Sequence, residues 1–335
     1  MKKSVTLQDI ASALGVTAMT VSKALNNHPD ISEARKKEIL DMAKKMNYVP
    51  NALAKNLRTN SSSLIGVIVA DNSNPYFASF IRGVEKTLSI NNYHSVIFNS
   101  DENPEKEKIF IDNLRSLNVA GIIIAPALGN KQTVQMLKSI NLPYVLSSRY
   151  IDGNTDTYVI ADDVTAGYLA TKHLLDRKNE KVVFINSNLD LSTARDRLAG
   201  YKKALSERGI AIDNDLILTG ALNIDDGYHM TSKLLKTMPR PFSLLCYSDY
   251  IAIGALQALN NERIKIPDEV ALMGIDNIEY SAFTYPKLST VAIPSIQIGI
   301  ASANLLLKII KSPTKLDIKS RQVVLKPQLI IRDST

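Results

Sequence analysis

Two textures divide the chain. In the first sixty residues the apolar positions keep a helical period, whereas from Leu64 onward they run in short blocks separated by amphipathic stretches. Leu7, Ile10, Ala11 and Leu14 fall at i, i+3, i+4 and i+7, which predicts a short helix, and Thr6 with Asp9 supplies its N-cap and an acidic partner. Gly15-Val16 ends that helix, Thr17 caps the next, and Val21 with Leu25 mark the buried side of the segment Ala18 to Leu25. Two helices joined by so tight a glycine turn predict a helix-turn-helix. On the second helix, Ala18, Met19, Ser22, Lys23 and Asn26 lie away from the Thr20/Ala24 edge, small or polar enough to enter a major groove. An ordinary helical hairpin with a wet polar face has the same spacing. A third helix from Ser32 through about Met46 closes a minimal core, and Asn47-Tyr48-Val49-Pro50 ends it. Residues 51–58 then form a capped segment of two turns, too short to hold a helix alone in water. The polar run Thr59 to Ser63 reads as a linker and a domain boundary.

Beyond it, the apolar blocks Leu64–Ala70, Ser95–Phe98, Gly121–Ala125, Tyr144–Leu146 and Tyr158–Ile160 alternate with helical patterns. The alternation repeats with Lys181–Ile185, Leu244–Cys246 and Val270–Ile275. A β-α alternation of this kind predicts parallel sheets covered by helices on both faces, and two successive sets predict two similar subdomains. Ligands in such sheets bind outside the carboxyl ends of the strands, so the cleft between two facing sheets is the expected site.

Charge sharpens the division. Residues 1–60 carry ten Lys/Arg against five Asp/Glu, while the remaining 275 carry 30 against 28, so the net charge of +7 sits mostly in the head. A small basic head on a nearly neutral body suggests a polyanion-binding module fused to a body with another task, although a solvated basic surface has the same composition. With 335 residues, 45% hydrophobic and 22% charged, the chain is globular and long enough for more than one core. A single cysteine, Cys246, allows no intramolecular disulfide and no Cys-rich zinc framework, which fits a reducing compartment. The basic start is interrupted by Gln8 and Asp9, and no run approaches 18 apolar residues, so neither export nor a membrane span is expected and the cytoplasm is the predicted location.

The runs Val5-Thr6-Leu7-Gln8-Asp9-Ile10-Ala11, Gly15-Val16-Thr17, Thr20-Val21-Ser22-Lys23-Ala24-Leu25-Asn26 and Asn47-Tyr48-Val49-Pro50-Asn51-Ala52, with Ala54 to Leu57, resemble the lactose-repressor/galactose-repressor (LacI/GalR) family of bacterial transcription regulators. The resemblance extends over the whole chain. It implies a helix-turn-helix domain over residues 1–60 with a hinge helix at 51–58. An effector-binding domain over 61–335 follows, made of two doubly wound parallel-sheet subdomains of the periplasmic-binding-protein type I kind. Their expected extents are about 61–160 and about 161–290, with Leu288 to Ala292 and the chain end crossing between them. The implied DNA contacts are Thr6, Thr17, Ala18, Met19, Thr20, Ser22, Lys23 and Asn26, together with Asn51, Ala54 and Leu57 on a hinge that folds on operator DNA. Leu57 would wedge into the minor groove, paying for base unstacking with wider contact; packing on the core is the alternative for that residue.

The effector contacts expected from strand-end positions and from the resemblance are Asn74, Tyr76, Phe77, Arg149, Thr193, Arg197, Leu222, Ser248 and Asp276. Arg197 resembles the family arginine that forks onto effector hydroxyls or a carboxylate, and Asp276 the acid that accepts from sugar hydroxyls. A planar bidentate donor opposite an acceptor-only carboxylate suits a polyol or an acid. That Arg197 and Asp276 are members of structural ion pairs is the other reading. The sequence departs from the family pattern at Ser248, where Asn is usual, at Leu191, where a small polar residue often sits, and at Leu222, where many members place a stacking aromatic. With no Trp in the chain, Tyr76, Phe77, Tyr150 or Tyr247 would have to form a flat apolar wall.

No phosphate-loop, dinucleotide, zinc-protease or serine-hydrolase motif occurs, and His28, His94, His173 and His229 stand at no ligand spacing, so neither catalysis nor a metal or cofactor is expected. The expected function is an effector-responsive repressor of carbohydrate uptake or catabolism genes, acting as a homodimer on a pseudo-palindromic operator. The absence of a Leu heptad tail argues against tetramers. A solute-binding protein without a DNA role is the rival that the large domain alone permits.

Overall fold

The computed structural model describes residues 5–48, 62–129, 132–151, 157–177, 181–312 and 321–335. Two compact units divide the chain between Ser61 and Ser62.

The head consists of α1 (Leu7–Leu14), α2 (Ala18–Leu25) and α3 (Glu33–Lys45). Thr6 accepts from the Asp9 amide while the Asp9 carboxylate accepts from the Thr6 amide at 2.8 Å, a reciprocal capping box. Gly15 ends α1 in the left-handed conformation, with φ at +63°, which lets the chain reverse and Thr17 cap α2 through the Thr20 amide. Ile10, Ala11, Val21, Ala24, Ile39 and Ala43 form the core.

One face assignment changes. Ser22 is 7% exposed and Ala18 packs against the head core, whereas Met19 is 65% exposed. At about 100° per residue, Ala18 and Ser22 flank the Val21/Leu25 stripe, and Met19, Lys23 and Asn26 occupy the opposite arc. The outward face of α2 is therefore narrower than the spacing suggests. Asn51, Ala54 and Leu57 lie outside the described residues.

In the large unit, the first sheet has strand order β11-β5-β4-β3-β1-β2. Its strands are β1 (Leu64–Val69), β2 (His94–Asn99), β3 (Gly121–Ile124), β4 (Tyr144–Ser147), β5 (Tyr158–Ala161) and β11 (Gln322–Leu325). The second sheet has the order β12-β10-β9-β8-β6-β7. It is built from β6 (Val182–Ile185), β7 (Ile217–Leu218), β8 (Phe242–Cys246), β9 (Val270–Asp276), β10 (Ser289–Ala292) and β12 (Gln328–Ile330). The central strands are buried on both faces, which is why they read as continuous apolar runs. Pairing is parallel except between β10 and β12, where the returning chain end runs antiparallel.

Helices on the first sheet include α4 (Pro75–Ile90), α5 (Pro104–Ser116) and α6 (Thr133–Ser139). The second sheet carries α7 (Asp163–Asp176), α8 (Ser192–Glu207), α9 (Ile224–Thr237) and α10 (Asp249–Asn261), and α11 (Ser295–Lys311) returns to pack on α4. The chain thus crosses between the sheets three times, after β5, β10 and β11. Glycines allow α7 and α8 to touch backbone to backbone: a Cβ on Gly167 would lie 2.1 Å from the Arg197 carbonyl oxygen. That close approach seats Arg197 over the start of α7.

Candidate functional site

The carboxyl ends of both sheets face a shared cavity of about 250 Å³. The loop after β1 and the start of α4 bring Asn74, Tyr76 and Phe77 to it, and the end of β4 brings Arg149. From the second sheet come Thr193 and Arg197 on α8, Leu222 before α9, Ser248 after β8 and Asp276 at the end of β9. All nine sequence-predicted residues line this one cavity. Glu102, after β2, and Asp163, opening α7, join them without having been singled out in the sequence, together with Ser148 and Asn223.

Arg197 organises the second-sheet side. It is 4% exposed; its Nε donates to Asp163 at 2.7 Å, one terminal nitrogen to Asp276 at 3.2 Å and the other to the Tyr247 carbonyl oxygen at 2.5 Å. Its guanidinium also lies 4.5 Å from the Tyr247 ring centroid. Arg197 thus bonds to both Asp163 and Asp276 while lining the cavity, the geometry that the structural ion-pair reading expects. Opposite, Arg149 grips Glu102 through both terminal nitrogens at 2.9 and 2.7 Å and donates to the Pro126 carbonyl oxygen at 3.0 Å.

The other polar groups are held locally. Tyr76 donates its hydroxyl to Ser148 at 2.9 Å, and the Thr193 and Tyr247 hydroxyls are 2.7 Å apart. Asn74 and Ser248 cap α4 and α10 through the Tyr76 and Ile251 amides, so both serve a helix N-terminus as well as the cavity wall. Burial pushes the Asp276 carboxyl up to about 8 against the pull of Arg197, and burial raises Asp163 in the same direction. Asp276, in the cavity wall, has a φ of +123° and the next residue, Asn277, one of +55°, two consecutive non-glycine residues in unusual backbone. Leu222, 39% exposed, sits where the sequence suggested loss of a stacking platform.

In the head, Lys23 donates to Asp30 at 2.8 Å, and the Asn26 side-chain amide donates to the Ser22 carbonyl oxygen at 2.8 Å, closing the end of α2. Met19, Lys23 and Asn26 stay on the accessible face. Cys246 is fully buried in β8, and burial raises its thiol, which keeps it unreactive.

The residues match two family models. Residues 6–51 match the bacterial regulatory proteins of the lacI family, and residues 62–331 match the periplasmic binding proteins and sugar binding domain of the LacI family. The chain belongs to the LacI family. Over 331 residues, 98% of each chain, it is 32% identical to the HTH-type transcriptional repressor PurR of Histophilus somni. Over 329 residues, again 98% of each, it is 31% identical to the ribose operon repressor of Haemophilus influenzae. Its fold matches the Lac repressor dimer bound to operator and the anti-inducer ONPF with a TM-score of 0.88, covering 99% of both chains at 23% identity. This LacI-family chain is a transcriptional repressor and not an enzyme. Among the described residues no helix is long and apolar enough to cross a membrane.

Proposed function

We propose that this LacI-family repressor binds a sugar or sugar derivative in the cavity between the two sheets and couples that binding to its grip on operator DNA. The observation that carries the reading is the convergence of nine residues from both sheets on one cavity, in a chain whose separate basic unit holds a capped helix-turn-helix. On this reading residues 1–60 are the DNA-binding domain, with Met19, Lys23 and Asn26 facing the groove and residues 51–58 as hinge, and 61–335 the effector domain. The hinge contacts proposed are Asn51, Ala54 and Leu57.

The protein acts as a homodimer on a pseudo-palindromic operator in the cytoplasm, controlling genes of carbohydrate uptake or catabolism. Exposed Tyr280, Phe283 and Tyr285, 58%, 79% and 91% accessible, support a self-association surface next to the β9 end. Effector binding changes the angle between the two sheets and thereby the spacing at which two hinges fold on DNA.

Operator selection from random duplexes, followed by fluorescence anisotropy with Leu57→Ala, tests this. The variant should bind the selected operator at least tenfold more weakly while retaining wild-type effector affinity. Wild-type operator affinity in Leu57→Ala would remove the hinge from the mechanism, and failure of the native chain to select any duplex would remove the DNA role.

A further inference from the structure

Asp249 opens α10 directly after the cavity-lining Ser248, and it is fully buried. A carboxylate in the first turn of a helix commonly serves that helix's own N-terminus. Among the described residues, however, the Asp249 side chain accepts from no amide of α10; it reaches across to β10 and to the segment that follows β9.

Its two oxygens divide these partners. Oδ1 accepts from the Thr290 hydroxyl at 2.6 Å, and the Thr290 oxygen accepts from the Asn277 amide at 3.2 Å, one residue beyond the cavity-lining Asp276. Oδ2 accepts from the Ile278 amide at 3.0 Å and from the Ser281 hydroxyl at 2.6 Å, in the short turn Glu279–Ala282 that carries Tyr280. Gly274 on β9 leaves the space: a Cβ there would lie 2.1 Å from Oδ1. One side of the carboxylate thus holds the backbone next to the cavity wall, and the other holds the base of the exposed aromatic segment. Tyr250, the next residue of α10, borders a shallow surface hollow with Ile253, Tyr280 and Phe283. A carboxylate is a rigid planar group, and buried polar atoms are costly to leave without partners, so a shift on one oxygen is passed to the bonds on the other.

We infer that Asp249 is the positioning residue that links the effector cavity to the self-association surface: a second copy docked on residues 280–285 orders the cavity wall at 274–278, and a change at that wall alters how tightly two chains pair. The inference rests on the proposals that the cavity is the effector site and that the exposed aromatics are the pairing surface. Such linkage is reciprocal, so the cavity wall reports on pairing with no effector present.

The test is hydrogen exchange of the full chain, read by mass spectrometry above and below the concentration at which sedimentation velocity shows pairing, with Phe283→Asp as the unpaired control. Pairing should slow exchange across 279–286 and, by at least about fivefold, across 274–278, where the Asn277 and Ile278 amides report the Thr290 and Asp249 bonds. Asp249→Asn puts an amide donor where hydroxyl and amide donors already point. It should bring the paired-to-unpaired exchange ratio of 274–278 close to one while 279–286 keeps its protection. Thr290→Val, which cuts only the bond toward Asn277, should lower that ratio too, and Thr290→Ser, which keeps the hydroxyl, should restore it. A merely structural role for Asp249 would speed exchange in both states alike and leave the ratio unchanged. A wild-type ratio of one in 274–278 beside a protected 279–286 overturns the linkage alone, as does a wild-type ratio in both Asp249→Asn and Thr290→Val. A chain that stays unpaired, or that pairs without protecting 279–286, overturns the pairing surface and the inference with it.

Discussion

Tyr150, just beyond β4 in the first sheet, donates its hydroxyl to Asp196 on α8 of the second at 3.0 Å, and its backbone N–H reaches the Ser192 hydroxyl at 3.1 Å. These bonds join the two halves of the large unit beside the cavity. Opening the two sheets apart at this edge must lengthen them, so they bias the unit toward the arrangement in which Arg149 and Arg197 line one cavity.

Tyr150→Phe removes the hydroxyl bond and keeps the ring. One such bond contributes about 0.5–1.5 kcal/mol, which as a closure bias is a roughly two- to tenfold shift toward the open arrangement. Hydrogen exchange of the peptides spanning 144–151 and 188–197 should accelerate by that factor, with the melting temperature little changed. Wild-type exchange in both peptides would show that the bond does not govern closure.

Arg197 is held by two buried carboxylates, so its removal is a stability event before it is a binding event. Arg197→Ala leaves Asp163 and Asp276 unpaired at 4% and 8% exposure and, above the pH of about 8 at which Asp276 ionises, should cost about 3–5 kcal/mol in denaturant unfolding. Adding Asp163→Asn and Asp276→Asn to an Arg197→Met background should recover most of that loss, because neutral amides need no counter-charge. A loss below about 1 kcal/mol in Arg197→Ala would mean that the pairs are not formed in solution.

Most of the nine cavity residues were legible because they stand at a strand end or open the next helix, positions that a β-α alternation marks, whereas Arg197, in the second turn of α8, was carried by the family resemblance. Glu102 and Asp163 also follow strand ends but were not singled out, since what gives them a role is pairing with arginines 47 and 34 positions away in the chain. The strand at Ile217–Leu218 is too short for a periodic signal, and the antiparallel β12 is a pairing that only the third crossing explains. Ser22 sits on a helix margin where a small wheel-angle error exchanges core for surface.

Asp276 gives the large unit a pH dependence of definite sign. Its folded-state carboxyl titrates near 8 against an ordinary value of 3.8, so between those limits the unfolded chain binds fewer protons than the folded one. The stability contribution is complete in acid below the ordinary value and is lost as pH rises through about 8. Asp276→Asn, neutral throughout, should flatten the decline by up to about 1.4 kcal/mol per pH unit, the linkage of one proton, while the raised Asp163 and Asp249 keep a residual slope. Urea unfolding of both proteins from pH 5 to 9 reads this directly, and parallel curves would place the Asp276 proton elsewhere.

Lys23 is ion-paired with Asp30 at 2.8 Å on the exposed face of the head, where the pair is screened and weak. The ammonium group is therefore available to a phosphate, at the modest cost of leaving Asp30. Lys23→Ala should lower operator affinity and reduce the slope of log K against log salt by about one, the signature of one lost phosphate contact. Asp30→Asn should act in the opposite direction, raising affinity at low salt because Lys23 no longer has a carboxylate to abandon and a repelling charge is gone from the DNA-facing side. Anisotropy titrations at several salt concentrations separate the two cases. An Asp30→Asn affinity equal to wild type, with an unchanged slope in Lys23→Ala, would place Lys23 outside the DNA interface and leave Met19 and Asn26 as its remaining contacts on α2.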